Sequence, residues 1–155
     1  MSTLSIGDTA PAINLPRDGG EMVDLAAMTG QKVVVYFYPK DDTPGCTKEA
    51  IGFTEAAADF AAAGAVVWGV SKDSVAKHEK FRTKYELGIP LVSDEDGSVC
   101  EDYGVWIEKN IYGKKYMGIE RATYLIDGTG KILQFWRKVK VSGHVEAVLK
   151  AVRGV

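Results

Sequence analysis

Residues 33–38 read Val-Val-Val-Tyr-Phe-Tyr, β-branched or aromatic at every position. Such a run has no polar face to give to water. It predicts a central strand covered on both sides, inside a layered α/β domain. The chain then turns through Pro39-Lys40-Asp41-Asp42-Thr43-Pro44-Gly45-Cys46. Thr43 reads as a helix N-cap and Pro44 as the first helical residue, where its missing N–H costs nothing. The predicted helix runs to about Ala63 and stops at Gly64. Cys46 lies in its first turn, near unsatisfied backbone N–H groups and the positive end of the helix dipole. Those surroundings favour thiolate over thiol.

Cys46, Ala50, Phe53, Ala57, Phe60 and Ala61 recur at helical spacing and form one apolar stripe. The thiol is therefore expected to face the body of the protein, in a pocket. Glu49, Glu55 and Asp59 are expected off that stripe. Cys46 also reads as a small buried hydrophobe, which is what most free cysteines are. The Thr-Pro-Gly lead-in favours the reactive reading, because space-filling does not call for a place in the first turn.

Around this stretch the chain predicts a short edge strand at Ile13-Asn14-Leu15 and a turn at 17–20. A returning strand at 22–25 follows, then a helical turn ending at Gly30. After the cysteine helix come a strand at 66–70 and a helix capped by Asp73 or Ser74 and running through Glu86. A strand at 91–93 and a short helix carrying Cys100 follow. Residues 106–118 read as a hairpin or loop. Strands at 119–126 and 131–136 flank the Asp127-Gly128-Thr129-Gly130 turn, and Ser142 is expected to cap a last helix. The result is a mixed sheet with helices on both faces. Residues 1–155 are expected to be one domain.

Pro39, Thr43 and Cys46 match the P-x-x-x-T-x-x-C motif of the peroxiredoxins, and Phe37 to Ala50 resembles their bacterioferritin-comigratory-protein (PrxQ) branch. The resemblance continues through Gly7–Pro11, Val70–Asp73, Lys77–Phe81, Pro90–Asp94, Glu120–Asp127 and Val139–His144. It implies a thioredoxin-like three-layer fold with an N-terminal β extension. It also implies reduction of hydrogen peroxide and small alkyl hydroperoxides through a sulfenic acid on Cys46, in antioxidant defence and cell redox homeostasis. The implied partners are the peroxide and a thiol reductant, thioredoxin or another, acting on a monomer with no cofactor. The same resemblance gives Thr43 a second role in binding peroxide, and it places Arg121 at the site. Pro39 is expected to shape the loop and shield the sulfur. The backbone N–H groups of Gly45 and Cys46 are expected to contact the peroxide oxygens.

Composition removes other functions. Net charge is −2 with the two signs interspersed, which gives no electrostatic case for nucleic acid or an anionic membrane. Residues 1–10 lack the basic start and apolar core of a signal peptide, and the longest apolar run is too short to span a bilayer. A cytoplasmic location is expected. There are two cysteines, no C-x-x-C and no Cys/His cluster, so neither a disulfide framework nor a metal site is expected.

An unperturbed cysteine is roughly 3% ionised at neutral pH. Full ionisation therefore gains at most about 30-fold, or about 2 kcal/mol. Losing one donor to the developing charge costs about 3–4 kcal/mol, which is more. The site thus needs a cation beside the sulfur. Arg121 is the candidate, read within a strand that is apolar on both faces. The pattern equally allows an arginine at the strand's open end, paired with Glu120 or Asp102. His78 and His144 are expected to be structural, and Trp68, Trp106 and Trp136 to line core or pocket.

The branch commonly carries a resolving cysteine five residues after the reactive one, where this chain has Ile51, or in the following helix, which here has none. Cys100 matches neither position. A one-cysteine mechanism is expected, with an atypical two-cysteine route through Cys100 as the alternative. A thioredoxin-type exchanger is disfavoured by the lack of C-x-x-C. A non-enzymatic sensor or holdase is disfavoured by the intact Pro39, Thr43, Cys46 and Arg121 set.

Overall fold

The computed structural model describes residues 4–155. Positions 1–3, which belong to the 1–10 stretch read above, lie outside the described residues. Strand β3 (Lys32–Phe37) sits at the centre of a five-stranded sheet. It pairs in parallel with β4 (Ala65–Ser71) on one side and antiparallel with β8 (Ala122–Ile126) on the other. Strand β5 (Leu91–Ser93) adds in parallel beyond β4, and β9 (Ile132–Trp136) antiparallel beyond β8. All of residues 33–38 are buried. Val33, Val35 and Phe37 enter one core half, and Val34, Tyr36 and Tyr38 enter the other. The unbroken apolar run is thus a strand with two dry faces.

Helices α1 (Pro44–Ala62) and α4 (His144–Arg153) pack on the face that takes Tyr36. So does α2 (Val75–Tyr85), through Phe81. Short α3 (Ser98–Asp102) fills the opposite face with Val99 and Cys100. The sheet is mixed with helices on both faces, a thioredoxin-like α/β architecture. Strands β1 (Asn14–Pro16) and β2 (Met22–Asp24) form an N-terminal hairpin, tied to β5 by an Arg17–Val92 bridge. Strands β6 (Trp106–Ile111) and β7 (Lys114–Ile119) form a separate two-stranded ribbon. Among the described residues, no helix is long and apolar enough to cross a membrane.

Three local expectations are corrected. Residues 119–121 do not belong to β8. Ile119 ends β7, Glu120 N–H donates to Val105 O, and the carbonyl of Arg121 accepts from Val139 N–H. These bonds take the backbone out of the ladder. The N-cap of α4 is Gly143, not Ser142; a φ of 75° lets glycine turn the chain into the helix without a side-chain cap. Helix α2 is capped by Ser74, whose hydroxyl accepts from Lys77 N–H, and ends one residue early at Tyr85.

Candidate active site

Central strand β3 delivers the chain into the 39–43 loop, and the loop delivers it into α1. Thr43 occupies the N-cap backbone position, with φ −101° and ψ 154°, and Pro44 opens the helix. Its side chain does not cap, against expectation: Oγ1 donates to Lys40 O at 2.9 Å. A hydroxyl has one proton, so towards a ligand Thr43 is left as an acceptor. The first helical bond runs from Thr47 N–H to Thr43 O. With no capping oxygen, the N–H groups of Gly45 and Cys46 remain without a helical acceptor. Pro39 is exposed on the loop, one residue after buried Tyr38.

Cys46 is buried in the half-core with Tyr36, Ala50 and Phe53. Nη2 of Arg121 donates to its Sγ at 3.3 Å. Arg121 stands at the open end of β8 rather than inside it, and its partner is a carboxylate neither Glu120 nor Asp102 supplies. Nη1 donates to Glu49 Oε1 at 2.6 Å, while Glu120 is held by Arg137. The fork therefore spans a sulfur and a carboxylate three residues apart, on one face of α1. About 17% of the Arg121 side chain stays open, so solvent reaches the guanidinium.

Glu49 corrects the helix reading. Expected off the apolar stripe, it is fully buried, and its Oε2 has no hydrogen-bond partner. Burial raises its carboxyl to about 7, against the opposing pull of Arg121. The signal available in the sequence was its spacing: position i+3 from Cys46 shares the cysteine's face. Tyr36 has a buried hydroxyl without a partner. Its pKa is raised by burial first, then by Glu49 and Cys46.

Gly45 has a steric reason to be glycine. A Cβ there would lie 3.2 Å from Arg121 Nη2, so the missing side chain is what lets the guanidinium come down on the helix end. Lys109 on β6 is a further cation that sequence reasoning missed. It is partly buried with its stem against Gly118, and burial lowers its pKa, with Arg121 adding and Cys46 opposing. A lysine in a polar ribbon carries no pattern that would single it out.

Cys100 lies elsewhere. It is buried in the half-core on the other face of the sheet, its backbone N–H donating to Asp94 Oδ2 at 2.8 Å. Burial and then Asp94 push its thiol well above the ordinary range. Both histidines are built into the frame. His78 Nδ1 meets Asp41 Oδ2 at 2.7 Å, and Nε2 meets Val92 O at 3.0 Å. His144 Nε2 meets Thr123 Oγ1 at 2.8 Å, and burial followed by Arg121 lowers its pKa to about 4. Trp68 is buried in core, while Trp106 and Trp136 pack against it partly covered. A recess of about 820 Å³ between α1 and α4 reaches this region through Thr43 and Pro44, but neither Cys46 nor Arg121 lines it.

Residues 6–135 match the AhpC/TSA family. A putative peroxiredoxin Bcp of Coxiella burnetii is 54% identical over 147 residues, covering 95% of this chain and 97% of that protein. Peroxiredoxin Bcp of Bacillus subtilis is 46% identical, covering 97% and 96%. A solved variant of Xylella fastidiosa PrxQ superposes with a TM-score of 0.93 at 40% identity, over 99% of this chain and 98% of that one. The Xanthomonas campestris bacterioferritin comigratory protein superposes at 0.88 with 46% identity, over 92% and 90%. That structure is described as a trapped intermediate/ligand complex bearing on alkyl peroxide reduction. A thiol at a helix mouth under a guanidinium, with relatives this similar along nearly the whole chain, leads to one family: the chain belongs to the AhpC/TSA peroxiredoxins, in their Bcp/PrxQ branch, and is a thiol peroxidase.

Proposed function

We propose that this peroxidase reduces hydrogen peroxide and small alkyl hydroperoxides by a one-cysteine mechanism, recycled by thioredoxin or another external thiol, in antioxidant defence. The single observation that carries the reading is the 3.3 Å contact between Arg121 Nη2 and Cys46 Sγ. The sulfur of Cys46, as thiolate, attacks the terminal oxygen of R–O–O–H. An S–O bond forms and the O–O bond breaks. The bonding pair leaves with RO⁻, which takes a proton to give ROH, and Cys46 becomes a sulfenic acid. Thr43 Oγ accepts from the peroxide O–H. The free N–H groups of Gly45 and Cys46 and the Arg121 fork donate to the peroxide oxygens as charge moves onto the leaving one. Pro39 holds the shape of the loop at the mouth.

An external thiol R′SH then attacks the sulfenic sulfur, giving a mixed disulfide and water. A second thiol releases Cys46 and leaves R′S–SR′. Two features support an outside reductant. Cys100 belongs to the opposite half-core, so α3 would have to leave the sheet before the two sulfurs met. Its thiol is also disfavoured as a thiolate. Two unpaired cysteines fit a cytoplasmic, reducing setting. Residues 1–155 are read as one peroxiredoxin domain working as a monomer.

The test is intact mass after one equivalent of peroxide without reductant, in the wild type and in Cys100→Ala. A gain of one oxygen in both is expected. A loss of two hydrogens in the wild type, absent from Cys100→Ala, would overturn the one-cysteine route. Turnover with dithiothreitol must vanish in Cys46→Ser; retention of it would remove the peroxidase assignment of this sulfur.

A further inference from the structure

Helix α2 divides its charges between two faces. On one face, Arg82 pairs with Asp18 at 3.3 Å, and Glu79 accepts the Gly19 N–H at 3.1 Å. Those groups fasten the helix to the N-terminal hairpin. Lys77, Lys80 and Lys84 follow at i, i+3 and i+7 and form a second stripe. This stripe faces the active-site loop. Together with Lys40, Asp41, Asp42, Asp73 and Phe81 it lines a recess of about 220 Å³.

The acidic groups of that recess already have partners. Asp41 is held by Tyr38 and His78, and Asp73 by Ser71 and the Asp41 N–H. Asp42 adopts a left-handed φ of 58°, fixed by Lys84 Nζ at 2.8 Å and Tyr85 Oη at 2.7 Å. Lys40, Lys77 and Lys80 are exposed, and among the described residues their ammonium groups carry no ion pair. Three exposed ammonium groups without an ion pair thus stand together beside the loop that leads into Cys46, and they outnumber the two recess carboxylates, Asp41 and Asp73, that have no lysine or arginine partner among the described residues.

We propose that Lys40, Lys77 and Lys80, around the recess between the active-site loop and α2, form the docking surface for an acidic protein reductant. The inference rests on the one-cysteine reading above, because a sulfenic acid with no resolving thiol in reach needs a partner from outside, and the recess shares the loop that leads into Cys46. Lysine suits such a surface, since its flexible, hydrated point charge steers encounter without demanding one geometry. Steering of this kind acts on association rate and is screened by salt. The peroxide step involves a small neutral substrate and should not sense it.

The experiment compares the wild type, Lys77→Glu/Lys80→Glu and Lys77→Arg/Lys80→Arg. Each is recycled by a reduced thioredoxin of net negative charge and, separately, by neutral dithiothreitol. Single-turnover oxidation of Cys46 by hydrogen peroxide is measured first, before any reductant is added. The expected result for the glutamate variant is a fall of about tenfold or more in kcat/KM for thioredoxin. Its peroxide step and its dithiothreitol turnover stay at wild-type rates, and the arginine variant stays at wild type throughout. Wild-type turnover with thioredoxin should also fall between about 10 mM and about 150 mM salt. Equal thioredoxin kinetics in wild type and glutamate variant would overturn the proposal. So would equal losses with both reductants. Failure of wild-type Cys46 to react with peroxide would instead overturn the peroxidase reading, and it would show before thioredoxin is present.

Discussion

A fully buried carboxyl group with a single hydrogen-bond partner sits three residues from Cys46, and Glu49 is that group. Its pKa is near 7 in the fold and near 4.5 in an unfolded chain. Below the lower value both states hold the proton and the group contributes nothing. As pH rises through the interval the unfolded state ionises first, so stability falls; the loss is complete above about 7. The shift corresponds to roughly 3 kcal/mol. Denaturation of wild type and Glu49→Gln from acid to mildly alkaline pH should give a difference curve that falls as pH rises. A flat difference would show that Glu49 titrates normally. Cys46 and Thr43 could be singled out from sequence because proline, threonine and cysteine mark a helix start chemically. Glu49 was marked only by its i+3 spacing from Cys46, and a glutamate next to an apolar stripe reads as solvated unless its cation, 72 residues away, is already in place.

At the scale of elements, the helix mouth is shaped by a residue that is absent as a side chain. Replacing Gly45 by Ala suits a helix by up to about 1 kcal/mol. It also sets a methyl group 3.2 Å from Arg121 Nη2. Gly45→Ala should therefore melt no lower than wild type yet oxidise about tenfold more slowly with peroxide, since small misplacements at a reacting centre are costly. Thermal melts together with stopped-flow rates check both halves. The active-site loop is clamped to α2 through Asp41 and His78, both buried. Removing the imidazole takes the partners from Asp41 Oδ2 and Val92 O and leaves the Asp41 carboxylate only its bond from Tyr38, so His78→Ala should lose about 2 kcal/mol in chemical denaturation. Strands β3, β4 and β5 and helix α1 were legible because their apolar runs and glycine stops are local signals. The start of β8 was not, because its boundary is set by bonds that Glu120 N–H gives to Val105 O and Arg121 O accepts from Val139 N–H, both outside the strand.

For the whole molecule, one sheet separates two chemistries. Cys46 lies on the face roofed by α1, α2 and α4, and Cys100 lies on the face with α3. Arg121 comes to the first face from the end of β8, and the pairing of β8 with β3 sets that placement. Sheet order cannot be read from one sequence, which is why the arginine's role rested on resemblance until the fold gave the distance. The central claim is that this guanidinium helps break the O–O bond. The direct measurement is the second-order rate of Cys46 oxidation by hydrogen peroxide in Glu49→Gln/Arg121→Gln against Glu49→Gln alone, a comparison in which the guanidinium is the group that differs. The account predicts a fall of about 100-fold or more with the fold retained; equal rates would contradict it.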